Sequence, residues 1–248
     1  MHSLWGKGII MRMEELTWPD FEEAKKSIDT VLIPVGSVEA HGRHLPLGTD
    51  VFAPLELCRR VEERVRNAGK DVLIAPPIWY GHTFVLNVYP GTIDVRADAF
   101  KAYVREVISE FVEEGFKRVV LMNGHGGNVY PLIEAAEEVA ESYPNAEIWL
   151  INWWIDFRED ILSICSSQGH AGQDETSVML AIRPELVKMD KAVGEKRTSR
   201  VRVIRKDIGR ELFPDGVNDD PGSATRENGE AILGVISEKI ARLLLGED

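Results

Sequence analysis

The chain has 248 residues, of which 44% are hydrophobic, and this length can bury the core of one α/β domain. Lys and Arg number 29 against 41 Asp and Glu, and the net charge of −12 argues against nucleic acid or an anionic membrane surface as a partner. No apolar stretch approaches the length of a transmembrane helix, and residues 1–12 lack the features of a signal peptide. We therefore expect a cytoplasmic protein with an N-terminal extension over residues 1–12 and a single domain over residues 13–248.

Apolar runs of strand length alternate along the chain with longer amphipathic segments. The runs cover residues 30–33, 71–75, 118–122 and 146–152. Apolar side chains at helical spacing mark residues 51–67, 97–114, the part through 135–139, 174–182 and 232–244. Strands that alternate with helices predict a parallel sheet with helices on both of its faces. The alternation of Val201 and Val203 with charged residues further predicts an edge strand or hairpin over residues 198–207.

Polar side chains crowd the loop that follows the first predicted strand. Glu39 and His41 lie two residues apart, and Asp50 follows nine residues after His41. Carboxylate oxygens and imidazole nitrogens are ligands that zinc, manganese and iron take in proteins. In a parallel sheet, ligands bind at the carboxyl ends of the strands, and the third predicted strand leads into His125. The two loops together predict a metal site and a metal-dependent hydrolase.

A third polar loop, GHAGQDETS, contains His170 and Glu175, and Glu175 falls in the first turn of a predicted helix, where the helix dipole favours a carboxylate. Several of the polar and glycine residues in these loops also have a purely structural alternative. Asp50 could cap the helix that begins beside it, and Gly126 and Gly127 could serve only a tight turn. The joint occurrence of the polar residues at strand ends favours the metal site.

Four separate motifs resemble those of the creatinine amidohydrolase, or creatininase, family. They are PVGSVEAHGRHLPLGTD, NGHGGN, GHAGQDETS and DPGSAT, in that order along the chain. The resemblance covers most of the chain from about Met13 onward. It implies a three-layer αβα sandwich with a mainly parallel central sheet and a homo-oligomer, often a hexamer. It also implies hydrolysis of amide-type carbon–nitrogen bonds with one or two divalent metals per subunit, Zn, Mn or Fe.

The resemblance also assigns roles to particular residues. Matched residue by residue, it implies these metal ligands: Glu39, His41, Asp50 and His125. Asp50 is implied as the bridge between two cations, and Glu175 as a further ligand or as a base, with the ligand role preferred. His170 matches the family histidine that acts in proton transfer. His44 is then expected to support the ligands or to form part of the pocket wall.

Two departures from the family argue against creatinine as the substrate. Members that act on creatinine carry a tyrosine and a metal-binding glutamate where this chain has Gly126 and Gly127, and a tryptophan-containing wall where it has Ser166 and Ser167. The glycine N–H groups lie at a predicted helix N-terminus, which suits a carboxylate or phosphate of the substrate. Trp154 could stack on a flat ring, although the two adjacent tryptophans could equally pack in the core or at a subunit interface.

The sequence thus predicts an amidohydrolase that cleaves a cyclic amide or a formamide of a small heterocyclic substrate. The formamide hydrolases of archaeal flavin and deazaflavin biosynthesis, which belong to the same family, are the leading specific alternative. Two other interpretations use the same ligand types: a protein that binds a metal or a phosphate-containing ligand without turnover, and a metallophosphatase. Cys58 and Cys165 lie far apart in the sequence and are expected to be reduced.

Overall fold

Four parallel strands form the central sheet of the computed structural model, which describes residues 11–247. The strands are β1 (Thr30–Val35), β2 (Leu73–Ile74), β3 (Arg118–Asn123) and β4 (Glu147–Asn152). Their order in the sheet is β2-β1-β3-β4. The β1–β3 and β3–β4 pairs each extend over six residues, whereas β2 joins β1 only through two. All four predicted strands are therefore confirmed, and the sheet is parallel as expected.

Helices cover both faces of this sheet. One face carries α1 (Trp18–Ala24), α3 (Ala97–Glu113) and α4 (Val129–Ser142). The other carries α2 (Thr49–Asn67), α6 (Arg158–Ile164), α7 (Gln173–Ile182) and α9 (Arg226–Leu245). Two short helices, α5 (Trp153–Asp156) and α8 (Ile208–Leu212), lie in the connections. The three-layer αβα sandwich is confirmed.

The two helical layers are separated by the alternation of side chains along each strand. Val31 and Ile33 of β1 pack with the α3 and α4 layer, whereas Leu32 between them packs with the α2 and α9 layer. Val119 and Val120 of β3 divide in the same way. Because successive side chains point to opposite faces, a strand that is apolar throughout must be covered on both faces. This is why short apolar runs led to a correct prediction of the layers.

Two parts of the sequence prediction need comment. Residues 198–207 form neither a strand nor a hairpin, so that prediction is wrong. Val201 and Ile204 in this segment are 65% and 77% exposed, and an alternating pattern forms a strand only where a partner strand and a core are available. Of the predicted extension, residues 1–10 lie outside the described part of the chain, and Met11 is buried beside β2.

Both cysteines are free and buried, as expected, and burial raises the pKa of the Cys58 thiol. Within residues 11–247, no helix combines the length and apolar character needed to cross a membrane.

Candidate metal centre

The centre begins with close contacts between glycine backbones and the first turn of α2. Gly36 directly follows β1, and Gly124 directly follows β3. A Cβ atom at Gly36 would lie 2.5 Å from the Asp50 carbonyl oxygen, and one at Gly124 would lie 2.0 Å from the same oxygen. Only glycine allows this approach. The glycines therefore let α2 start directly above the carboxyl ends of the two central strands.

Asp50 lies at the middle of the centre. Its side chain is 3% exposed, and its two oxygens face different histidines. The Oδ1 atom lies 2.9 Å from His41 Nε2, and Oδ2 lies 2.9 Å from His125 Nδ1. The helix cap is Gly48, and no side chain makes a capping hydrogen bond there. The alternative in which Asp50 merely caps α2 is therefore excluded.

Glu39 and Glu175 complete two groups that share Asp50. Glu39 Oε1 lies 3.2 Å from His125 Nδ1, and Glu175 Oε2 lies 3.7 Å from His41 Nε2. One group consists of Glu39, Asp50 and His125, and the other of His41, Asp50 and Glu175. Within each group the candidate ligand atoms lie within 4.8 Å of one another. The structure thus brings together all five residues that the sequence singled out as ligands.

Several of these atoms are buried without a hydrogen-bond partner, namely Glu39 Oε1, His41 Nε2 and Asp50 Oδ2. His41 Nε2 and His125 Nδ1 each lie 2.9 Å from an oxygen of Asp50, but these pairs lack the alignment of a hydrogen bond. Buried polar atoms rarely lack partners, and each one costs about 1–3 kcal/mol. Lone pairs that converge without bonding one another fit a cation between them. The residues present therefore fit a divalent metal.

Backbone carbonyls orient the three histidines of the centre. His41 Nδ1–H donates to the Glu39 carbonyl at 3.1 Å, and His125 Nε2–H donates to the His82 carbonyl at 3.0 Å. His170 Nε2–H donates to the Ala40 carbonyl at 2.9 Å. A carbonyl only accepts, so each bond fixes a proton on that nitrogen and directs the other ring nitrogen into the centre, where it can bind a metal once it carries no proton. Such supporting bonds to the far nitrogen are the usual partner of a metal-binding histidine.

The charges of the centre also favour a cation. Burial disfavours protonated His41, but Asp50, Glu175 and Glu39 outweigh burial and raise its pKa to about 10. Burial raises the pKa of Glu175 to about 8. Without a metal the centre therefore holds protons at neutral pH that offset its carboxylate charge. A divalent cation can replace those protons.

His170 lies beside this centre in a different electrostatic state. Burial and the charge on His41 lower the pKa of His170 to about 4, so its imidazole is neutral at neutral pH. Its Nδ1 lies 3.7 Å from Glu39 Oε1, and its ring packs edge-on to Phe213. His170 also falls in a third candidate ligand group, with Glu39 and His41. Its position fits proton transfer, and a ligand role is geometrically open as well.

The residue after His170 has a strained backbone. Ala171 has a φ of 51°, a region that residues other than glycine seldom adopt. Its N–H donates to Glu175 Oε2 at 2.7 Å, and its side chain is fully buried. Strain of this kind costs about 1–3 kcal/mol and persists where the surroundings impose it. Here the turn lies between two residues that both contact His41: the His170 ring centre is 4.3 Å from the His41 ring centre, and Glu175 Oε2 is 3.7 Å from His41 Nε2.

The predicted substrate-binding residues divide into two kinds. A Cβ at Gly126 would fit without displacing a neighbour, since the nearest atom, on the Trp154 ring, lies at an ordinary contact distance of 3.9 Å. Trp154 is partly exposed, whereas Trp153 is buried in the core. A Cβ at Gly127 would lie 1.9 Å from the His82 carbonyl oxygen. Gly126 and Trp154 thus form an open wall, and Gly127 is required for packing beneath His125.

We expect Gly127→Ala and Gly126→Ala to differ sharply. The methyl group that the Gly127→Ala substitution adds would displace the His82 carbonyl, which orients His125. Loss of such a supporting bond lowers metal affinity or activity about 10–100-fold. Gly126→Ala adds a methyl group at ordinary contact distance and should retain metal content. Metal analysis of the two purified variants tests this difference. Equal metal content in both would contradict the proposed role of the His82 carbonyl.

Other residues of the centre were missed or given a smaller role by the sequence. His44 is buried and pairs through Nε2 with Thr176 Oγ1 at 3.0 Å, which agrees with a supporting position. The Asn128 side chain accepts from the His82 N–H and donates to the Gly36 carbonyl. These contacts link distant loops through the backbone. No local sequence signal identifies such partners.

Comparison with known proteins places the chain in a family. Residues 14–244 match the family model for creatininase, described as creatinine amidohydrolase. The creatinine amidohydrolase of Pseudomonas putida is 31% identical over 249 residues, covering 92% of this chain and 93% of that protein. A mycofactocin precursor peptide peptidase of Mycobacterium ulcerans is 32% identical over 246 residues, covering 94% and 88%.

Solved creatininase structures share the whole fold. A mutant creatininase of the Zn-Zn type superposes with a TM-score of 0.86 at 27% identity, covering 97% of this chain and 99% of that chain. A structure described as creatininase Mn superposes with a TM-score of 0.85 at 28% identity, covering 96% and 99%. The chain therefore belongs to the creatininase family, whose members are metal-dependent amidohydrolases, and it is a hydrolase of that family.

Proposed function

We propose that this hydrolase holds two divalent cations, Zn, Mn or Fe, with Asp50 as their common ligand. The observation that carries the proposal is the pair of buried ligand groups that share Asp50. Each group offers one imidazole and two carboxylates. Three protein ligands leave a position for water or substrate, as in catalytic zinc sites. The Zn-Zn and Mn names of the structural relatives support a divalent metal.

A pair of divalent cations in this centre would polarise a carbonyl group and lower the pKa of a water molecule toward neutrality. The side chains of the protein have complementary tasks. His170 is neutral, and its Nδ1 can accept a proton and then give it to a leaving nitrogen. The Ala40 carbonyl holds the other ring nitrogen protonated and fixes the ring orientation. Gly126 and Trp154 would bind the substrate, with Trp154 against a flat ring, and Gly127 would keep the backbone close to it.

The proposed reaction is hydrolysis of a cyclic amide or a formamide on a small heterocyclic substrate. Relatives named for creatinine hydrolysis and for peptide cleavage support an amide-type carbon–nitrogen bond. Gly126 and Gly127, which stand where creatinine-hydrolysing members carry a tyrosine and a metal-binding glutamate, direct the proposal away from creatinine. Formamide hydrolysis in archaeal flavin or deazaflavin biosynthesis is its more specific form. We also propose a homo-oligomer, a hexamer by family resemblance.

The test measures product release from formanilide, hydantoin and creatinine by the purified protein with and without added Zn or Mn. We expect formate or a ring-opened acid to appear only with metal. His170→Ala should lower kcat by about 10²–10⁴-fold, the usual contribution of general acid–base catalysis, and should retain the metal. Loss of metal in this variant would instead identify His170 as a ligand.

Two outcomes would reject the proposal. Tight binding of these compounds without product, unchanged by His170→Ala, would identify a binding protein without turnover. Release of phosphate from p-nitrophenyl phosphate, with no amide cleavage, would identify a metallophosphatase.

A further inference from the structure

A basic segment lies at the rim of the centre, in a chain that is acidic as a whole. We call residues 196–206 the basic arm. It contains six cationic residues and no acidic one: Lys196, Arg197, Arg200, Arg202, Arg205 and Lys206. Every residue of the arm is exposed, and the arm is irregular up to residue 205. The net charge of −12 conceals this local concentration of positive charge.

Two contacts attach the basic arm to segments that carry residues of the centre. Lys196 Nζ donates to the carbonyl of Gln168, two residues before His170. The Gln168 amide in turn donates to the carbonyl of Trp154, the proposed substrate wall. Further along, the Arg202 guanidinium lies 5.3 Å from the ring centre of Tyr130, in the first turn of α4. The arm therefore runs from the His170 loop to the helix that follows Gly126 and Gly127.

Four of the six cations have no carboxylate partner within the described residues, and one of the four, Lys196, donates to a carbonyl instead. Arg197 pairs with Glu195, and Arg205 pairs with Glu211. Arg200, Arg202 and Lys206 have no carboxylate within 4.0 Å in the part of the chain that the structure describes. Clustered like charges repel one another, and together they create a positive potential that attracts anions. Arginine is well suited to phosphate and carboxylate, because its planar guanidinium binds two oxygens at once.

We propose that the basic arm binds an anionic group of the substrate, a phosphate or a carboxylate, at the rim of the centre. The arm then selects among amides by the charge they carry away from the bond that is cleaved. The inference rests on the proposed amide hydrolysis for its kinetic test, but the binding test below is independent of turnover. Arg200, Arg202 and Lys206 would be the contacting residues.

The kinetic test uses the metal-loaded protein and three formamides that differ only in one substituent: formanilide, 4-formamidobenzoate and 4-formamidophenyl phosphate. We expect KM to be at least about tenfold lower for an anionic compound than for formanilide, since charge-assisted hydrogen bonds are roughly twice as strong as neutral ones. The triple variant Arg200→Gln/Arg202→Gln/Lys206→Gln should abolish this difference and leave kcat on formanilide unchanged. The anion with the lower KM identifies the group.

In the binding test, calorimetry measures the binding of phenyl phosphate and of benzoate to the same metal-loaded proteins. We expect Kd to rise by about tenfold or more in the triple variant, and the wild-type affinity to fall with salt. The matched control, Lys70→Gln/Lys117→Gln/Arg242→Gln, removes the same charge from the opposite end of the molecule and should bind like wild type. Equal affinity of wild type and the arm variant, or an equal loss in the control, would overturn the proposal. If none of the formamides is hydrolysed but the anions still bind more tightly to wild type than to the arm variant, only the proposed reaction is rejected.

Discussion

Asp50→Asn is expected to remove most of the activity, by on the order of 10³-fold or more, together with both metal ions, because Asp50 belongs to both ligand groups. Asparagine keeps the shape of the side chain but loses the negative charge and one of the two acceptor oxygens. The measurement is kcat/KM on the best amide substrate, with metal content determined on the same sample.

Variants of the outer ligands make this prediction sharper. Glu39→Gln and Glu175→Gln each alter only one of the two groups that share Asp50, so each should lose one metal where Asp50→Asn loses two. Asp219→Asn is the matched control. Asp219 is 2% exposed and accepts from Ser167 Oγ, but it is in neither ligand group. Full metal content in Asp50→Asn, or loss of metal in Asp219→Asn, would contradict the arrangement.

Removal of metal by a chelator is expected to abolish activity and to lower Tm, and added Zn or Mn should restore both. A ligand that binds only the folded state at 100 times its Kd adds about 2.7 kcal/mol of stability. For a chain of this size, each kcal/mol shifts Tm by about 2–4 °C, so the expected change is roughly 5–10 °C. Thermal unfolding of stripped and reloaded protein provides the measurement. Activity that survives complete removal of metal would contradict the proposed function.

Metal binding should also release protons, and its affinity should rise with pH. The raised pKa values, about 10 for His41 and about 8 for Glu175, mean that both groups are protonated at pH 7 without metal. Both must lose their protons to act as ligands, so acid competes with metal, and the competition weakens as pH rises through about 8. Calorimetry in buffers of different ionisation enthalpy counts the released protons. Affinity that is independent of pH between 6 and 8 would contradict this result.

The sequence predicted the layers of the fold because the relevant signals are local. A buried strand such as β3 is apolar throughout, and a helix such as α3 shows its apolar side chains at a period of 3.6 residues. The failure at residues 198–207 has the same origin, since alternation there is local, but a strand also needs a partner that the surrounding chain does not offer. Likewise, the total charge hid the basic arm, because a sum over the chain has no spatial information.

The sequence was enough to name the candidate ligands, because carboxylates and imidazoles that cluster near the ends of predicted strands are typical of metal sites and seldom build a core. They are Glu39, His41, Asp50, His125 and Glu175. Only the tertiary structure showed that they form two groups with Asp50 in common, since this depends on contacts between loops far apart in the chain. It also showed which nitrogen of each histidine faces the centre. Backbone carbonyls determine this, and every residue has one, so the sequence does not reveal which carbonyl is the partner. The difference between Gly126 and Gly127 likewise arises only from what lies above each backbone. Sequence thus determined the chemistry available, and packing decided how its parts meet.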